Sequence, residues 1–188
     1  MALTLLGEEP IGALTEDNKP ARFANSHYNN VRQEVLRSAN WTVASRRAVL
    51  TASATAPAWG FTFSYILPTG FLKLIETSER NEQYRIEEGE IATDLSPMQI
   101  KYVFDLTDVN RMDALLQSAI AAKLAQDMSI PITSNRELMR DMARLYADRI
   151  AEARYIDAQE GPVQVVEGSQ WVDARQGQML PFRKIESP

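Results

Sequence analysis

The chain contains no cysteine and a single histidine in 188 residues. The first absence excludes disulfides, thiol catalysis, thiolate zinc sites and iron–sulfur ligation. The second excludes a multi-histidine metal site, and no motif places a nucleophile and an orienting carboxylate beside His27, which reads as structural or simply exposed. The carboxylates show no calcium-loop or magnesium spacing either, so no metal, cofactor or catalytic residue is expected. No apolar run approaches the roughly 20 residues that a membrane-crossing helix needs. Positive charge is also scarce: 20 Lys and Arg stand against 25 Asp and Glu, a net charge of −5. Gripping nucleic acid needs concentrated positive charge, so DNA is expected to pass this surface without being retained. The opening MALTLLGEEP has no basic run ahead of its leucines, so a secretory leader is not expected and production in the cytoplasm is.

What the chain does have is enough apolar content, 45% of residues, for one well-buried core. The pattern predicts an α+β fold: an antiparallel helical bundle with an inserted small antiparallel β-sheet and an extended C-terminal tail. Its parts are N-terminal helices over 1–40, a β-rich insertion over 41–107, a helical hairpin over 108–158 and the tail over 159–188.

Leu3, Leu5 and Leu6 before Gly7 predict a short helix closed by glycine in the left-handed conformation. Pro20 can occupy the first turn of a second helix, carried to Ala39 by Ala24, Tyr28, Val31 and Val35. From Trp41 to Leu50 the pattern is ambiguous and leans to strand, with a loop over Thr51 to Pro57. Phe61, Phe63, Tyr65 and Leu67 then alternate as a strand with one buried face does. Further strands are expected at Leu72 to Thr77, Gln83 to Glu87, Glu90 to Thr93 and Ile100 to Leu106. Turns at Pro68–Gly70, Glu88–Gly89 and Ser96–Pro97 separate them. Helical spacing returns at Asp108 through Val109, Met112, Leu116, Ile120, Leu124 and Met128. Pro131 is expected to end that helix, and Ser134 with Glu137 to form a capping box for the last one, which runs to about Ala158.

Two groups of charges have competing readings. Glu87, Glu88 and Glu90 could supply an acid and a base across a cleft, but their place around a turn favours a solvated hairpin tip. Arg136, Arg140 and Arg144 recur every four residues among Glu137, Asp141 and Asp148, which suits an exposed helix face with local pairing or a subunit interface. Trp171 and Phe182 stand in an otherwise polar tail. They either fold back on the core or dock on a partner, with Arg175, Arg183 and Lys184 supplying charge in the second case.

The order of LGEEPI, LRSANWTVA, WGFTFSYILPTGFLKL, YRIEEGEI, IKYVFDLTDV and ALLQSAIAAKLA resembles the tail tubular protein A family of short-tailed bacteriophages, the head-to-tail adaptors. The resemblance covers about Leu6 to Arg175. It implies a non-enzymatic virion protein at the head–tail junction, assembled in the host cytoplasm as a closed ring of about twelve copies. The implied partners are the portal protein, a tail nozzle protein of the tubular B type, further copies of the chain, tail fibres, and genomic DNA passing through the lumen without sequence-specific binding. On that basis Trp171, Arg175, Phe182, Arg183 and Lys184 are candidates for portal binding. Pro68, Thr69, Gly70, Glu87, Glu88, Gly89 and Glu90 are candidates for facing the nozzle. A tail-associated hydrolase using Glu87 and Glu90, and a small DNA-binding module, are the alternatives.

Overall fold

A computed structural model describes residues 1–79 and 82–160. Four α-helices, α1 (Ala2–Leu5), α2 (Lys19–Arg37), α3 (Ala114–Thr133) and α4 (Arg136–Glu160), combine with seven strands: β1 (Ser45–Val49), β2 (Thr51–Ala52), β3 (Phe63–Ile66), β4 (Phe71–Thr77), β5 (Tyr84–Glu87), β6 (Glu90–Thr93) and β7 (Gln99–Phe104). All strand pairs are antiparallel. The fold is therefore α+β, as the sequence predicts.

The strands form two sheets rather than the single one expected. One has the order β1-β7-β4 and the other β2-β3-β6-β5. The division follows from the stretch read as a loop after Leu50. Leu50 donates its N–H to the Met98 carbonyl (2.8 Å), and the chain then continues extended into β2, where the Ser53 N–H reaches the Ser64 carbonyl (2.7 Å). One nearly continuous segment so serves both sheets. Its start is later than the sequence suggests, because Trp41 is not in a strand: its ring is buried and its Nε1 donates to the Val35 carbonyl at 3.0 Å.

Helix α1 ends as expected, with Gly7 at φ +76 and the Glu8 N–H on the Leu3 carbonyl. Helix α2 starts directly after its cap Asn18, whose Oδ1 accepts the Ala21 N–H (2.8 Å), and buries Ala21, Ala24, Val31, Val35 and Leu36. Residues 109–111 form a separate 3-10 turn, so α3 begins at Ala114 under an Asp113 cap rather than at Asp108. Nine residues of α3 are buried, on more than one side, because α1, α2 and α4 all pack on it. The alanines at 119, 122 and 125, nearly or wholly inaccessible, let those helices approach closely.

Pro131 does not end α3; the helix continues to Thr133 and stops at Ser134, which takes the left-handed conformation (φ 56). In the last turn the lost N–H costs one hydrogen bond, and the helix absorbs it. Ser134 therefore closes α3 and does not cap α4. Asn135 is the cap: its Oδ1 accepts the N–H groups of Glu137 (2.9 Å) and Leu138 (3.1 Å). With a two-residue link, α4 returns along α3 and sets Asp157 near Asp113, the antiparallel pairing expected.

Candidate docking surface

The two turns proposed from sequence lie side by side. The Leu67 N–H donates to the Gly89 carbonyl (3.1 Å), joining the start of the Pro68–Gly70 turn to the tip of the β5–β6 hairpin. Glu88 and Gly89 both have positive φ, 50 and 82, as a two-residue type I′ hairpin requires. Thr69, Gly70, Glu87, Glu88 and Gly89 are exposed, and Pro68 and Glu90 are half-buried. The Pro68–Gly70 turn is also tied to the helical body, since its Gly70 carbonyl accepts the Asp105 N–H at 2.8 Å. Asp105 in turn receives Arg32 Nε and Nη2, both at 3.0 Å, and Gln33 Nε2 at 2.9 Å. Burial, the largest influence on Asp105, pushes its pKa up. The hydrogen bonds from Arg32 and Gln33 and the Arg32 charge together outweigh it and hold the carboxyl below its ordinary value.

Strand register decides which side chains share a face. Ser64 pairs with Ala92 and Ala92 with Arg85, while Ile66 pairs with Glu90 and Glu90 with Glu87. One face of the four-stranded sheet therefore carries Ser64, Glu90, Arg85 and Glu87 together. Above it arches the loop 53–62, rich in alanine and small polar residues, and between loop and sheet lies an open groove of about 1060 Å³. Glu90 is clamped there, its Oε1 accepting the Ser53 hydroxyl (3.0 Å) and its Oε2 the Ser64 hydroxyl. Among the described residues Arg85 pairs only with Glu87, at 3.5 Å. Trp59, on the loop, is 83% exposed beside the groove.

The opposite face of the sheet departs from the expected pattern. Tyr65 and Ile91 are buried, and the Tyr65 hydroxyl donates to the Leu95 carbonyl (3.1 Å). Phe63, expected beside Tyr65 in the core, is exposed, as are Tyr84 and Ile86 on the neighbouring strands. Tyr65 and Ile91 join the hydrophobic core, and Thr93, paired with Phe63 and Tyr84, is buried as well, so the exposed aromatic and aliphatic side chains flank a buried centre. Ser64 is buried instead, because Glu90 gives its hydroxyl a partner.

Ser53, Ser64 and Trp59 were not singled out as site residues by sequence reasoning. A pairing register would have found the serines, but β-register is set by contacts between strands and is not written in one strand alone. The exposed stripe of Arg136, Arg140 and Arg144 is observed, with Arg144 and Asp141 at 3.7 Å. His27 stacks on Phe23 (3.9 Å between ring centres) with its Nδ1 close to the Phe23 carbonyl and the Ser26 hydroxyl, a structural setting. Trp171, Arg175, Phe182, Arg183 and Lys184 lie outside the described residues. Among the described residues no helix is long and apolar enough to cross a membrane. Comparison with known proteins finds neither a matching family model nor a matching characterised protein.

Proposed function

We propose that this chain is a structural adaptor of a short-tailed phage virion. It joins the portal ring to the tail nozzle, helps line the DNA channel, and assembles as a ring through its helical hairpin. The observation that carries this reading is α4. Over 25 residues it packs chiefly against α3, and among the described residues its other face is exposed along its length, roughly 37 Å at about 1.5 Å per residue. That face bears Arg136, Arg140, Arg144, Asp148 and Glu152, a mixed-sign surface suited to a copy presenting the opposite order. The six segments that carry the family resemblance also supply Leu6, Trp41, Tyr65, Ile91, Val103 and Leu116 to one core, as a shared fold requires.

The reading assigns the two adjoining turns to the nozzle side and residues 160–188 to the portal. Deleting 161–188 tests the second assignment. Portal binding, measured by co-sedimentation with the portal ring of the same phage, is expected to vanish while the helical circular dichroism signal persists. Retained binding would overturn the assignment.

The hydrolase alternative draws on one observation: Glu87 and Glu90 are direct cross-strand partners facing the same groove, one beside Arg85 and the other between two serines. Lytic activity abolished by Glu87→Gln or Glu90→Gln, with assembly intact, would establish it.

A further inference from the structure

We infer that the groove between the loop 53–62 and the polar face of the four-stranded sheet is a binding site for an extended peptide segment carrying arginine or lysine. The inference goes beyond the adaptor reading, because it holds for any protein partner that presents such a segment.

The groove has three properties that select this ligand. The first is uncompensated negative charge in a fixed position. Among the described residues Arg85 is the one cation lining it, and that guanidinium is already beside Glu87. Among the described residues no lysine or arginine forms an ion pair with Glu88 or Glu90. Glu90 is half-buried, and the two serine hydroxyls hold both of its oxygens without neutralising the carboxylate. A cation entering the groove meets a carboxylate that needs no reorganisation, and charge-assisted bonds to such a group are the strong ones.

The second property is Trp59. A tryptophan 83% exposed at the groove's edge offers a ring face to a cation, and indole is the strongest of the aromatic partners for an ammonium or guanidinium. Tryptophan is also enriched among the few residues that carry most of the binding energy of protein contacts. The third property is shape. At about 1060 Å³ and open to solvent, the groove stands at the upper end of the range for ligand pockets, roughly 300–1,000 Å³, and has room for a chain lying across it. The same charge repels a nucleic acid backbone.

The test uses the full chain and a blocked penta-arginine peptide at low salt, followed by the indole N–H signals of the tryptophans, with Trp59 assigned through Trp59→Phe. The Trp59 signal is expected to shift on titration while that of buried Trp41 stays in place. Because any acidic protein attracts a polycation, two charge-matched variants decide the matter. Glu87→Gln with Glu88→Gln removes two groove charges; Glu8→Gln with Glu9→Gln removes two exposed charges after α1, which packs on α3 and not on this sheet. The groove pair is expected to weaken binding roughly tenfold and the distant pair by less than about twofold. Equal losses in the two variants, or a Trp59 signal that does not move, would overturn the inference.

Discussion

Arg32 grips Asp105 with two parallel hydrogen bonds of 3.0 Å, its side chain only 6% exposed and that of Asp105 16%. The pair ties α2 to the end of β7. Through the Asp105 N–H on the Gly70 carbonyl, it also ties α2 to one of the two turns of the candidate docking surface. Tyr28 stacks near the same guanidinium, 5.5 Å from ring centre to Cζ, and Asn29 accepts its remaining reach at 2.8 Å. Removing one partner strands a buried charge, so Arg32→Met is expected to destabilise the fold by about 3–5 kcal/mol in urea denaturation. A loss below about 1 kcal/mol would place the pair among ordinary surface bridges.

The two perturbed aspartates predict opposite acid responses. Asp105 is held below its ordinary value of 3.8, so its contribution is complete above that pH and is lost as pH falls through the lower folded value. Asp157 is raised, first by burial and then by the Asp113 charge, against the Thr42 N–H and hydroxyl that pull it down. Its contribution is present below 3.8 and is lost as pH rises through the folded value. Asp157→Asn keeps an acceptor for the Thr42 N–H (2.9 Å) and is expected to be more stable than the parent at pH 7, with the gap closing near pH 3. Thermal melts at both pH values check it.

The helix junction offers a sharper substitution test. Asn135→Ala removes the cap of α4 and is expected to cost about 1 kcal/mol. Ser134→Gly relieves a left-handed serine and is expected to be neutral to stabilising, by up to about 1 kcal/mol. A capping role for Ser134 would reverse that order.

That junction also shows why the sequence was legible only in part. Pattern located both helices, because 3.6-residue spacing survives any tertiary setting, and it found the Glu88–Gly89 turn, where backbone chemistry is local. It gave the cap to Ser134 because Ser-x-x-Glu fits a capping box, yet Asn135 fits an ordinary cap equally well and α3 needed Ser134 for its own end. Proline at 131 reads as a stop, although one lost bond in a final turn is tolerable beside the burial of Leu124, Ala125 and Met128. The candidate site was half visible. Its turns are sequence-local, while the Ser53, Ser64 and Glu90 clamp depends on three strands meeting in one register.

Close packing in α3 predicts intolerance of volume. Ala125 is fully buried in this helix, and Ala125→Leu is expected to destabilise by about 1–3 kcal/mol through forced side-chain and backbone shifts. Ala151→Leu, on the exposed face of α4, is expected to change stability by less than about 0.5 kcal/mol. The same exposed substitution becomes informative in assembly, since a ring built through that face would be weakened by it.

Mass measurement of the protein alone and mixed with the portal ring of the same phage, followed by electron microscopy of the mixture, tests the adaptor account most directly. The account predicts a ring of the chain seated coaxially on the portal. A mixture showing free portal and free chain, with no ring and no bound density, would contradict it.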